Sequence, residues 1–164
     1  MTVAVSGFMS VASGCGLLGQ EASAAKPSRV PPAPFTGETV AGEIAAYTTA
    51  AGLPEGDTSL DGLPEGGWRA CVVPWSGQVP EDVAAAGFEG TEERLRSHDW
   101  EIVSSHAEGE AVFRTFAKRG WKLYARSWAL LGPDRTRSVT FTGVEDGCEV
   151  PGEVRDEYTD PAAP

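Results

Sequence analysis

Apolar side chains at Val40, Ala41, Ile44, Ala45, Tyr47 and Ala51 recur at three- and four-residue spacing, which predicts an amphipathic helix over 36–51. Glu38 falls in its first turn and Gly52-Leu53-Pro54 follows its end, the expected start and stop signals. The stretch from Pro54 to Gly67 is rich in Gly, Pro and acids, and repeats Leu-Pro-Glu-Gly at 53–56 and 63–66, so it reads as a loop with a duplicated turn. Trp68 to Trp75 is a β-favouring run around Cys71, Val72 and Val73, stopped by Pro74 and Gly77. Pro80 to Ala86 reads as a helical turn opened by Pro and closed by Gly87. A second short helix is expected from Thr91, an N-cap followed by Glu92 and Glu93, to near His98. Trp100 to Ser105 is the strand it feeds.

Residues 110–119 place Val112, Phe113, Phe116 and Ala117 on one helical face and Arg114, Thr115, Lys118 and Arg119 on the other. A strand would mix Phe with Arg, so the pattern predicts a third helix, capped by Gly120. Trp121 to Leu131 alternates, with Trp121, Leu123 and Ala125 on one side and Lys122, Tyr124, Arg126 and Trp128 on the other. After a turn at Gly132-Pro133-Asp134, residues 137–144 alternate again, which completes a hairpin. The predicted order is α-β-α-β-α-β-β. That is an α+β fold with a small mixed or antiparallel sheet of about four strands and helices on one face. Lys118-Arg119-Gly120-Trp121 repeats the plan of Ser97-His98-Asp99-Trp100, with an echo at Gly67-Trp68. Each Trp is expected to pack where a helix meets a strand, and burying an indole contributes about 2–3 kcal/mol.

The chain has 164 residues and a net charge of −11, which argues against a general nucleic-acid binder because phosphate contacts need clustered Lys and Arg. Nine of the thirteen basic residues fall between Arg94 and Arg137, whereas residues 30–66 carry six acids and no base. The candidate binding face is therefore the polar side of the hairpin: Lys122, Tyr124, Arg126 and Trp128, with Arg135 and Arg137 beside them. An anionic ligand or a cell-envelope protein suits it, and a solvated mixed-charge surface is the plainer reading.

Residues 1–14 are uncharged and end Val11-Ala12-Ser13-Gly14 before Cys15, like the close of a secretory signal peptide. Small residues followed by Cys resemble the lipobox of bacterial, in particular actinobacterial, lipoproteins, with Ala12 standing where Leu is usual. The resemblance implies a signal peptide over 1–14, cleavage before Cys15, lipidation of Cys15, and an address on the outer face of the cytoplasmic membrane. Residues 15–35, rich in Ala, Ser and Pro, then read as a flexible tether, residues 36–150 as the α+β domain and 151–164 as an acidic disordered tail. With Cys15 lipidated, Cys71 and Cys148 remain to form a disulfide; free thiols in a reducing compartment are the alternative.

Chemistry-bearing motifs are sparse. His98 and His106 are the two histidines, and a Ser–His–Asp hydrolase could draw on His106 with Ser104 or Ser105 and Asp99, yet the chain contains no Gly-x-Ser-x-Gly elbow, Cys-x-x-Cys pair or phosphate loop. No cofactor or metal is expected. The sequence points to a membrane-anchored, non-enzymatic binding module, with a small secreted hydrolase and a structural or regulatory subunit of an envelope complex as alternatives.

Overall fold

The computed structural model describes residues 33–130, 135–152, 154 and 155. The expected signal peptide, Cys15 and most of the expected tether lie outside those residues, as do the expected Gly132-Pro133-Asp134 turn and the end of the acidic segment. The compact unit runs from Pro34. Its elements are α1 (Gly37–Ala50), a 3-10 turn (Gly67–Cys71), β1 (Val72–Pro80), α2 (Glu81–Ser97), β2 (Glu101–Glu108), β3 (Ala111–Lys118), β4 (Trp121–Ala129) and β5 (Thr136–Glu145). The fold is α+β, with one antiparallel five-stranded sheet in the order β1-β5-β4-β3-β2 and two helices. No helix among the described residues is long and apolar enough to cross a membrane.

The first helix forms where expected, with Glu38 in its first turn, and Thr36 proves to be its N-cap, the hydroxyl accepting from the Thr39 amide. The region from Pro80 to His98 differs from expectation, being one continuous helix in which Thr91 is interior and buried. Gly87 and Gly90 do not break it. A Cβ on Gly87 would come within 2.4 Å of a Leu53 methyl, so this glycine lets the chain after α1 pack close against α2. The Thr91 hydroxyl donates to the Gly87 carbonyl at 2.8 Å within the helix.

The expected third helix at 110–119 is instead strand β3, which raises the strand count to five and gives the order α-β-α-β-β-β-β. The objection to a strand was that cations would share a side with Phe116. They do: Val112, Arg114, Phe116 and Lys118 pair with Ser127, Ala125, Leu123 and Trp121 on the side the helices cover. Both cations are accommodated by helix carboxylates, Lys118 with Glu43 of α1 at 2.7 Å and Arg114 with Glu92 of α2 at 3.6 Å. Lys118 and Trp121 are paired, and the two residues between them, Arg119 (φ 50°) and Gly120 (φ 83°), close a tight hairpin. The Ser97–Trp100 and Lys118–Trp121 segments are thus alike in sequence only, one a helix-to-strand joint and the other a hairpin turn. Trp100 and Trp121 are nonetheless each 2% exposed. Trp68 opens no strand; it sits in the 3-10 turn, and the strand starts at Val72.

The main core lies between the helices and one face of the sheet. Val40 and Ile44 of α1 and Phe88 and Leu95 of α2 pack on Trp75, Val79, Phe116, Leu123, Val139 and Phe141. A second, smaller cluster of Trp68, Val72, Val144, Val150 and Val154 lies on the opposite face. Val154, 1% exposed, shows that packing continues past residue 150, beyond the expected domain end.

Candidate functional site

The sheet face away from the helices is open over much of its area, and the alternation of β4 aims Lys122, Tyr124, Arg126 and Trp128 onto it. These residues stand opposite Val144, Thr142, Thr140 and Ser138 of β5. Thr142, Thr140 and Ser138 in turn face Pro74, Ser76 and Gln78 of β1. One row crosses the whole sheet: His106, Phe113, Arg126, Thr140 and Ser76 are successive partners, and the backbone of Asp57 forms an isolated bridge with Ser76.

Two members of the expected binding face lie elsewhere. Arg137 pairs with Ala129 and Val79 on the helix side of the sheet. There its Nε donates to Ser127 Oγ at 3.3 Å and its guanidinium meets the Glu110 carboxylate at 3.9 Å and the Glu110 carbonyl. The shift has a simple cause, because a strand turns alternate residues to opposite faces and Arg137 is out of phase with Ser138 and Thr140. Arg135 is exposed at the strand entrance, where its carbonyl accepts from the first amide of α2 at 2.9 Å.

One end of the open face is covered. Trp68 of the 3-10 turn, Cys148, Val150 and Val154 close over Val72 and Val144, and a disulfide joins Cys71 to Cys148 with 5.9 Å between the Cα atoms. Arg69 ties the preceding loop down by donating to the carbonyls of Leu60, Leu63 and Pro64 and pairing with Glu65 at 3.0 Å. Further along, the same loop crosses the edge of β1. A Cβ on Gly56 would fall 2.3 Å from the Trp75 indole, so only glycine lets the backbone lie on that ring. Asp57 and Ser76 then exchange backbone hydrogen bonds, both of 2.8 Å.

This crossing loop walls in a groove of about 460 Å³, lined by Asp57, Ser59, Asp61, Ser76, Arg126, Trp128, Ser138, Thr140 and Thr142 together with Pro74 and Trp75. Its volume is within the ~300–1,000 Å³ span of small-molecule sites. Arg126 is 7% exposed, whereas Trp128 is half-buried. The Asp57 carboxylate accepts from the Ser59 amide at 2.8 Å, and this bond to the charged form holds its pKa below the usual carboxylate value. Lys122 and Tyr124 border a separate shallow depression with Val150 and Arg155. Lys122 lies 3.9 Å from Asp146. Arg126 and Trp128 therefore share a site, and their closest charged company includes two acids instead of Arg135 and Arg137.

Comparison with protein-family models, curated proteins and solved structures finds no match to this chain.

Sequence reasoning reads Asp57 and Asp61 as part of a solvated turn, without the alternate-residue oxygen pattern of a calcium loop, and does not single out Ser76 or the hydroxyls of β5. Thr136, Ser138, Thr140 and Thr142 form an alternate-residue series opposite Val139 and Phe141, a signal that could have marked a polar sheet face. The placement of Asp57 has no local signal because it depends on a bridge to a residue nineteen positions away.

Other ionisable groups are tied into the scaffold. Glu43 accepts from Trp100 Nε1 at 2.7 Å and from Lys118 Nζ. Burial, aided by Glu43, pushes the Tyr47 hydroxyl up to about 12. His98 Nδ1 lies 2.8 Å from the Arg94 carbonyl, which can only accept, so this nitrogen carries the proton. The His106 ring stacks on Phe113 at 4.7 Å. Among the described residues no group of acids, histidines and cysteines is arranged to hold a metal.

Proposed function

We propose that this chain is a lipid-anchored, extracytoplasmic module that binds a polar component of the cell envelope in the open-face groove without turning it over. The observation that carries the reading is the groove: an arginine at 7% exposure beside a half-buried tryptophan, hydroxyls from β1 and β5, and acids from a loop clamped over the sheet edge. A charged side chain is rarely held at that depth without a built setting. Arg126, Trp128 and the crossing loop act as the contact group, with Lys122 and Tyr124 flanking it. The disulfide supports an oxidising, extracytoplasmic address, because such bonds persist outside the reducing cytosol. The lipid on Cys15 rests on the lipobox resemblance.

Binding without catalysis is favoured over the hydrolase reading because the expected base is poorly placed. His106 stacks on Phe113, Ser105 points to the opposite face, and although Ser104 shares the face of His106, among the described residues no hydrogen bond links the His106 ring to a serine. A role as a subunit of an envelope complex draws on one observation, the free edge of β2, where Ile102 and Val103 are exposed.

Two measurements test the proposal. Intact-mass analysis of the chain from the membrane fraction is expected to show a diacylglyceryl addition at Cys15; an unmodified thiol there removes the anchor. Co-sedimentation with purified cell-wall material is expected to retain the wild-type chain and to lose it on Arg126→Gln or Trp128→Ala. Equal retention of all three removes the groove as the binding site.

A further inference from the structure

The geometry points to a neutral saccharide, a short oligomer of pyranose rings, as the ligand class of the open-face groove. This inference rests on the binding-module reading and deepens it. The groove mixes hydrogen-bond acceptors and donors around one aromatic ring. Asp57 and Asp61 supply carboxylates, Arg126 supplies a guanidinium, and Ser76, Ser138, Thr140 and Thr142 supply hydroxyls that can do either.

The charge balance narrows the choice. Two carboxylates against one guanidinium give the lining a formal charge of 1 − 2 = −1, so a phosphate or polycarboxylate would meet repulsion that Arg126 alone must offset. Arg137, which would have made the site cationic, is on the other side of the sheet. A cationic ligand would suit the acids and Trp128 but would meet a guanidinium held almost wholly out of water. Sugar hydroxyls each donate and accept, so they satisfy carboxylate and guanidinium together without adding charge. The apolar face of a pyranose ring can lie on the Trp128 indole, an amphipathic ring that serves recognition when left partly open.

Asp57 is preorganised for this role. Its backbone is bridged to Ser76, and its carboxylate is oriented by the Ser59 amide. The groove's volume, about 460 Å³, has room for a short oligomer and exceeds what a single ion needs.

The test is an NMR titration of the full chain, following the Trp128 indole N–H resonance, assigned by its loss in Trp128→Phe. Probes are neutral trimers (chitotriose, cellotriose and maltotriose), trigalacturonate, inorganic phosphate and choline. At least one neutral trimer is expected to shift the resonance and to bind more tightly than the three charged probes. Asp61→Asn, a change at an exposed position, is expected to weaken that trimer about tenfold, with indole dispersion elsewhere in the spectrum unchanged. Tighter binding of phosphate or trigalacturonate makes the groove an anion site and overturns the assignment, as does tighter binding of choline. No shift with any neutral trimer at millimolar concentration also overturns it. If wall retention persists while the trimers fail, only the sugar assignment falls; if the trimers bind while wall retention is absent, only the wall-binding reading falls.

Discussion

The two faces of this sheet are built on opposite principles. The helix side is largely apolar, and the charges that reach it have fixed partners, Lys118 with Glu43 of α1, Arg114 with Glu92 of α2, and Arg137 with Ser127 and Glu110. The open side is divided: a small apolar cluster and a disulfide close one end, while hydroxyls, Arg126 and Trp128 line a groove at the middle. The helix side holds the fold because burial there removes the most apolar surface from water. The open side is free to carry polar residues because its stability is delegated to a covalent link and a few buried side chains at one end. Such a division lets a small domain keep a hydrated polar surface on one face of its sheet.

Substitutions should separate the two faces by size of effect. Phe116 is fully buried between α1, α2 and the sheet, so Phe116→Ala is expected to cost about 3–5 kcal/mol, read as a lower urea midpoint with unchanged slope. A loss under ~1 kcal/mol would mean that the helix side is not the main source of stability. Removing the disulfide by Cys71→Ala with Cys148→Ala frees a link across 77 residues and is expected to cost about 2–4 kcal/mol. Hydrogen exchange should then speed up around Trp68–Val72 and Cys148–Val154 before it does in α1 or α2; uniform acceleration would contradict the local role given to the open-face cluster.

Tyr47 offers a smaller, pH-dependent probe of the helix side. Its hydroxyl titrates near 10 when unfolded and about 12 when folded, so the folded state holds the proton more tightly between those values. The neutral phenol's contribution is complete below pH 10 and is lost as pH rises through the folded value. Wild-type stability should thus fall more steeply than that of Tyr47→Phe over this window, and parallel curves would refute the assignment.

Much of this contrast could be read from residues in order. Thr36 and the spacing of Val40 and Ile44 set out α1, and the alternation of Trp121, Leu123 and Ala125 against Lys122, Tyr124, Arg126 and Trp128 set out β4 with its faces correct. Cys71 and Cys148 are joined as expected once Cys15 is set aside. What could not be read were outcomes decided by distant partners. The 110–119 segment fits a helix by its own periodicity, and it is partners distant in sequence, Glu43 and Glu92 foremost, that accommodate Lys118 and Arg114 on the covered side of a strand. Gly87 looks like a stop signal until Leu53 is seen against it. The candidate site was half visible: Arg126 and Trp128 were named, but the acids that change its electrostatics arrive through the Asp57–Ser76 bridge. Arg137 joins that face by charge and by its place on the neighbouring hairpin strand, yet its phase on β5 turns it to the other side.

The central claim, that one face carries stability and the other carries binding, is tested by measuring urea stability and cell-wall retention together on Trp121→Ala and Trp128→Ala. Trp121 is 2% exposed, and its Nε1 donates to the Phe35 carbonyl at 3.1 Å. Its loss should cost about 3–5 kcal/mol while the protein that remains folded still binds the wall. Trp128→Ala should change stability by less than ~1.5 kcal/mol, as expected for a partly exposed side chain, and abolish retention. The reverse pattern, or a Trp128→Ala variant that is as unstable as Trp121→Ala and still retained, would contradict the division.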